Sequence, residues 1–460
     1  MNLPPERISM EELDLLCERR RASGASLPAY VGPLRRHVAE GDRRLLRLQY
    51  DASPAAMRLW SFLLTEEERL HAARAAGVKI VGTMKDLGTV PVLAYALPNV
   101  VAFYPDGAWW TPCLMELSDG LFRIAQLLGF GEAFCPVRAM LGAFVNRAHF
   151  PIPDLLTCSA GAVCDDFSAI AQCVESLGHP ILWWEIPHRR PPEPDETAVE
   201  LPGGFSAPAS QVAFVRSELD RVRSALEVLA GAPLGASELA AGVAQANRVR
   251  RSLAELRRLA YTTEACPMPA LEMLIAEMLA IHFCSDQAET IRVLADLTEE
   301  VRRRVKEKHG VLAEDAARVF WVNPVADLRV MNLLEDCGGR LAGTEFLFSH
   351  ALDPIPEDLP PMEALARMAL ADPMVGPSTD RAARIVRDAR AFRAEAVLVS
   401  RIPGASHCAL EGAVIARVVR EELAIPVVEM EVPPVADSMM PTLRSQLEAL
   451  VETVLERRKR

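Results

Sequence analysis

The chain has 460 residues, of which 50% are hydrophobic and 24% charged, an ordinary balance for a globular protein too long for one compact core. Its formal net charge of −12 argues against a nucleic-acid or anionic-membrane partner. Its 10 cysteines stand without close CxxC pairs, which argues against a disulfide framework.

The opening MNLPPERISMEELDLLCERRR lacks the apolar core of a signal peptide, and Pro or charge interrupts every apolar run short of a membrane span. A cytoplasmic protein is expected. Residues 1–75 read as a helical N-terminal extension. SMEELDLLCERRRA (9–22) opens with a Ser capping box, and TEEERLHAARAAG (65–77) stops on Gly.

From residue 79 short, apolar, β-rich runs alternate with helical ones. KIVGTM (79–84), NVVAFYP (99–105), DLLTC (154–158) and ILWWEI (181–186) are predicted strands. LMELSDGLFRIAQLLG, VRAMLGAFVNRA and DDFSAIAQCVESLG are the helices between them. Strands buried on both faces and alternating with helices imply a parallel α/β sheet over 76–190. PHRRPPEPDETAVELPGGFSAP (187–208) reads as a linker or surface excursion, with the linker proper at 191–208.

Residues 209–310 carry about four helices. The arginines of RVRRSLAELRRLA (248–260) and VRRRVKEKHG (301–310) read as solvated helix faces, and the methionines of LEMLIAEMLAIHF as packing. Over 311–460 a second α/β pattern follows, with strands at RVFWVNP (318–324), AGTEFLF (342–348), EAVLVSR (395–401) and PVVEMEV (426–432). The expected fold class is therefore α/β: two Rossmann-like parallel-sheet domains, a helical segment between them and a helical N-terminal extension. The two α/β regions share a plan but show no residue-level repeat.

In such sheets ligands bind beyond the carboxyl ends of the strands. Three cysteines are placed there. Cys164 and Cys408 each follow a strand and a small loop and precede a helix; Cys135 caps a helix after a Gly-containing loop, with Pro136 in its first turn. A helix N-terminus lowers a thiol's pKa and favours the thiolate. Three such thiolates would hold three irons of a [4Fe–4S] cube and leave the fourth open to water or substrate. Cys158 shares the loop of Cys164 as a further ligand or neighbour, and His407 stands beside Cys408 as a candidate proton donor. Cys113 and Cys266 read as structural, and Cys17, Cys173, Cys284 and Cys337 as core sulfur. Asp165 and Asp166 suit the first turn of a helix.

FCPVRAMLGAFVNRAHFPIPDLLTCSAGAVCDDFSAIAQCVESLGHPILWWEIPHR and AARIVRDARAFRAEAVLVSRIPGASHCALEGAVIARVVREELAIPVVEMEV resemble the 2-hydroxyacyl-CoA dehydratase and benzoyl-CoA reductase family. The resemblance spans roughly residues 75–435. It implies that Cys135, Cys164 and Cys408 bind a [4Fe–4S] cluster. It also implies a homologous second subunit, an activator iron–sulfur ATPase that delivers a low-potential electron, and an acyl-CoA substrate. A dehydratase expels the 2-hydroxyl from a ketyl-type radical, whereas the benzoyl-CoA branch reduces an aromatic ring. Ala409-Leu410-Glu411 follows Cys408 where many members have Asp-Pro or Lys-Pro, and GTMKDLGTVPVLAYALPNVVAFYP matches the family only loosely. The readings that compete are a cluster-carrying electron-transfer or scaffold subunit without a substrate site, a cluster-free α/β binding protein, and a zinc site.

Overall fold

In a computed structural model the described residues are 7–22, 31–39, 43–86, 88–107, 118–162, 164–281, 285–405 and 410–460. The N-terminal part comprises β1 (Arg7–Ser9), α1 (Met10–Ala22), α2 (Val31–Ala39), β2 (Gln49–Asp51), α3 (Pro54–Leu64) and α4 (Glu66–Ala75). The expected capping box is present: the Ser9 N–H donates to Glu12 Oε2 at 2.8 Å and the Glu12 N–H to Ser9 Oγ at 3.2 Å. The purely helical expectation is corrected by the β1–β2 pair, which is antiparallel. The sequence pattern also leaves 54–64 unassigned, although α3 is capped by Ser53, starts on Pro54 and buries Trp60 completely.

The first α/β unit runs β3 (Lys79–Met84), α5 (Val90–Tyr95), β4 (Val100–Phe103), α6 (Ser118–Leu127), α7 (Ala139–Asn146), β5 (Leu155–Gly161), α8 (Asp165–Ser176) and β6 (Ile181–Ile186). Its four strands are parallel in the order β4-β3-β5-β6. The 187–208 excursion is not structureless. It holds the antiparallel strands β7 (Ala198–Leu201) and β8 (Phe205–Pro208), turned by Gly203 and Gly204 at φ 80° and 84°. Arg189 ties it down: its guanidinium lies 4.1 Å from the Phe205 ring and donates to Leu370 O at 2.7 Å and Asp380 Oδ2 at 2.8 Å.

Four helices follow as expected: α9 (Ala209–Ala230), α10 (Ala236–Thr262), α11 (Ala270–Met278) and α12 (Gln287–Glu307). Helix α10 packs on α5 and on β10 of the second unit, so it bridges the two sheets. The solvated-face reading of the arginines in 248–260 and 301–310 fails at three places. Arg250, Arg257 and Arg304 are buried because each has a built partner: Arg250 donates to Asp353 O, Arg257 pairs with Glu277 at 2.6 Å, and Arg304 pairs with Asp51. The methionine expectation holds, with Met273 and Met278 in the core.

The second unit runs β9 (Ala317–Val322), α13 (Arg329–Asp336), β10 (Gly339–Glu345), α14 (Pro361–Leu370), α15 (Ser378–Ala391), β11 (Ala396–Arg401), α16 (Gly412–Leu423), β12 (Val427–Glu431) and α17 (Met440–Arg458). Its parallel sheet has the order β10-β9-β11-β12. Strand β10 begins earlier than AGTEFLF suggests and stops at Glu345. Leu347 has φ 66°, so the chain leaves extended geometry within the apolar run. Alternation then sorts the core: Phe320, Val322, Val397 and Val399 pack with Ile385 and Ile415 as a separate cluster, while Val319, Trp321 and Leu398 join the continuous main core. Among the described residues no helix is long and apolar enough to cross a membrane.

Candidate metal centre

Each sheet has its second strand on one side of its first strand and its third strand on the other. The switch points therefore lie beyond the carboxyl ends of β3 and β5, and of β9 and β11. This is where the sequence places its cysteines.

Cys164 is the N-cap residue of α8 and is half-buried. The turn that delivers it requires glycine. Gly161 has φ +94°, and a Cβ there would lie 2.3 Å from Ile186 O. Asp165 and Asp166 occupy the first turn of α8, as expected from the helix dipole. Cys135 caps the 3-10 turn Pro136–Arg138 that leads into α7, and it too is half-buried. The Arg138 guanidinium donates to Phe134 O at 2.5 Å and lies 4.6 Å from the Phe122 ring, which fixes the backbone just before Cys135. Helix α8 packs against both this turn and α7, so the elements headed by Cys135 and Cys164 are direct neighbours.

Cys408 and His407 lie outside the described residues, as do Cys113 and Cys284. The loop entering Cys408 is described as far as Ala405. Gly404, at φ +79°, sits so close to the loop before Cys135 that a Cβ would lie 2.5 Å from Glu132 O and 2.8 Å from Phe134 O. Both loops thus converge on one place from different units. A cleft of about 620 Å³ opens beside them, lined by Phe122, Arg123, Glu132 and Arg138 on one side and by Pro403 and Glu431 on the other.

The remaining sulfurs separate by environment. Cys158 is fully buried within β5, its thiol donates to Ser159 O at 3.4 Å, and burial pushes its pKa up to about 12. It behaves as a protonated core residue. Cys266 is likewise buried with a raised pKa, and Cys17 is buried in α1. Cys173 lies within α8 and Cys337 at the end of α13, where burial pushes its thiol up to about 11. Among the described residues no group of three or more His, Cys, Asp or Glu side chains is placed to hold a metal ion.

Sequence reasoning missed Lys85. It follows β3 with φ 55°, is 5% exposed, and donates from Nζ to Ser168 Oγ of α8 at 2.6 Å. Burial lowers its pKa, while the neighbouring Cys158, Cys164 and Asp165 oppose that shift. The adjacent Asp86 accepts the N–H groups of Thr89 at 3.1 Å and Val90 at 2.7 Å, so it caps α5. No sequence signal marks Lys85, because its role depends on a strand end and a helix start far apart in the chain.

The donor set suits a thiolate-ligated group. Soft sulfur ligands favour iron–sulfur or zinc chemistry, Cys164 heads a helix whose leading N–H groups favour anionic charge, and a buried ammonium is bonded to Ser168 one turn further along that helix. Among curated proteins none matches the chain significantly. Residues 87–454 match the family model described as 2-hydroxyglutaryl-CoA dehydratase, D-component, and the chain therefore belongs to that family of dehydratase-type CoA-thioester enzyme subunits.

Proposed function

We propose that this chain is the iron–sulfur subunit of a heterodimeric dehydratase that removes water from a 2-hydroxyacyl-CoA by a radical route. Cys135, Cys164 and Cys408 hold a [4Fe–4S] cluster, and an ATP-dependent activator supplies the electron. The observation that supports this reading is that α8 lies against the turn headed by Cys135, and that Gly404, on the described approach to Cys408, is seated on residues 132–134. The family description supports dehydration over aromatic-ring reduction.

Bound there, the cluster would supply low-potential electron transfer and a Lewis-acidic iron. The chain's own residues prepare the place. The first N–H groups of α8, which Cys164 heads, favour a developing negative charge there, a contribution of about 0.3–1 kcal/mol. Arg138 fixes the carbonyl of Phe134, and the Lys85 ammonium adds positive charge at Cys164. The cleft between the units is a natural entry for a thioester arm, with the substrate's hydroxyl leaving together with a β-proton as water.

Anaerobic purification with iron and sulfide analysis tests the proposal. The expected result is a brown protein with about four irons per chain, lost in Cys164→Ala and in Cys135→Ala while the secondary structure is kept. Wild-type protein that takes up no iron on anaerobic reconstitution, or a Cys164→Ala variant that keeps its full iron content, overturns it.

A further inference from the structure

Equivalent positions at the two switch points differ in charge. Lys85 follows β3 and Asn323 follows β9, with φ of 55° and 73°. Each stands beside a serine of the neighbouring strand. Ser159 Oγ donates to Lys85 O at 2.6 Å, and Asn323 Nδ2 donates to Ser400 O at 2.7 Å. In the second unit the buried cation at this level is Arg381, and carboxylates neutralise it: Glu345 at 2.5 Å and Glu411 at 2.8 Å. In the first unit the Lys85 ammonium is bonded to the neutral hydroxyl of Ser168, and among the described residues no carboxylate forms an ion pair with it. Asp86, next to it in sequence, is committed to the N–H groups that open α5.

An ammonium withdrawn from water without a counter-ion is costly, and a nearby anion offsets that cost. The ionisable neighbours of Lys85 are Cys158, Cys164 and Asp165. Cys158 is a core thiol, and Asp165 forms no ion pair with the ammonium. Ser168, which accepts from the ammonium, lies one helical turn beyond Cys164, its N–H bonded to Cys164 O at 3.3 Å, so the charge sits against the opening turn of the helix that Cys164 heads.

We propose that Lys85 is a positioning residue whose buried positive charge favours the more negative, reduced state of the iron–sulfur group held by Cys164. The inference rests on the proposed function, and it assigns the charge asymmetry of the two halves a role in setting a reduction potential. A cation near a cluster stabilises the state with one more electron, so removing it lowers the potential.

The test is a redox titration of the anaerobically reconstituted chain, followed by visible absorption and electron paramagnetic resonance. Lys85→Gln keeps a donor for Ser168 and removes the charge. Its reduction equilibrium is expected to shift about tenfold or more towards the oxidised form, about 59 mV for a one-electron couple, at unchanged iron content. Lys85→Arg is expected to stay near wild type. Ser168→Asp, which gives the ammonium a carboxylate, is expected to move the potential in the same direction as Lys85→Gln and serves if that variant does not fold. A wild-type cluster whose potential is unmoved in both Lys85→Gln and Ser168→Asp overturns the assignment alone, as does Lys85→Arg shifting as far as Lys85→Gln. Wild-type protein without iron overturns the cluster reading and this inference with it.

Discussion

Cys158 and Cys164 lie in one short segment and have opposite environments. Cys158 points into the sheet, loses all exposure and keeps its proton, whereas Cys164 heads a helix beside a lysine. The sequence favours Cys164 for its place before a helix and keeps Cys158 as neighbour or further ligand; β5 is buried on both faces from Leu156 to Ser159, so Cys158 is enclosed within the strand while Cys164, beyond the strand end, stays partly exposed. Replacing Cys158 with Ala should therefore leave iron content unchanged and cost stability of about 1–2 kcal/mol from a small core cavity. Iron analysis beside a thermal melt checks both halves. Loss of iron in Cys158→Ala with a normal melt would make Cys158 a ligand and displace Cys164 from the role given to it.

At the scale of elements, charge buried between helices does work that amphipathic patterns hide. Arg304 of α12 meets Asp51 of β2 with Nη2 to Oδ1 at 2.8 Å, and it also donates to Pro267 O at 2.9 Å. Glu272 of α11 accepts the Asp51 N–H at 3.0 Å and the Trp60 indole N–H at 3.1 Å. This cluster fastens the N-terminal part to the central helices. Arg304→Met should lower stability by about 3–5 kcal/mol, because Asp51 is left buried beside a second carboxyl. Asp51→Asn in the same chain should restore part of the loss, and melts of the single and double variants measure it.

A neighbouring carboxyl gives the same interface a pH dependence. Glu335 of α13 accepts the Ala270 N–H at 2.8 Å and pairs with Arg7 at 3.1 Å, yet burial outweighs the arginine and pushes its pKa up to about 7. A raised pKa means that the folded state holds its proton more readily than the unfolded one. The stability this contributes is full below the ordinary value of 4.5 and is lost as pH rises through about 7. Glu335→Gln should flatten the melting temperature over that window. An unchanged slope would place the titration elsewhere.

At the scale of the whole molecule, much of the architecture was legible. Strong apolar runs bounded by helices located all eight parallel strands, six within two residues of their observed limits and β5 and β10 three residues off at an end, because strands buried on both faces leave a composition signal. The pairing of β1 with β2, helix α3 and the hairpin at 198–208 were not legible, since tertiary contacts such as Arg189 on Phe205 determine them. The correspondence between Lys85 with Ser159 and Asn323 with Ser400 was invisible as well. It is a likeness of register and backbone, with different side chains serving it.

The candidate centre depends on how closely the two units meet, and Gly404 is the point where that closeness can be tested. Its φ of +79° disfavours any side chain, and a Cβ would approach two backbone carbonyl oxygens to 2.5 and 2.8 Å. Backbone on both sides leaves no flexible side chain to yield, so Gly404→Ala must push the loop before Cys408 away from the loop before Cys135. The sheets and the main core do not depend on that contact, because strands β9 to β12 pair independently of it. The expected outcome is a folded protein with a near-normal melt that loses iron, or holds a cluster with an altered resonance spectrum. Neither Lys85 nor Ser168 is among the atoms that a Cβ at Gly404 would meet most closely. A Gly404→Ala protein with wild-type iron and an unaltered spectrum would show that the cysteine-bearing loops are held together by something other than this contact.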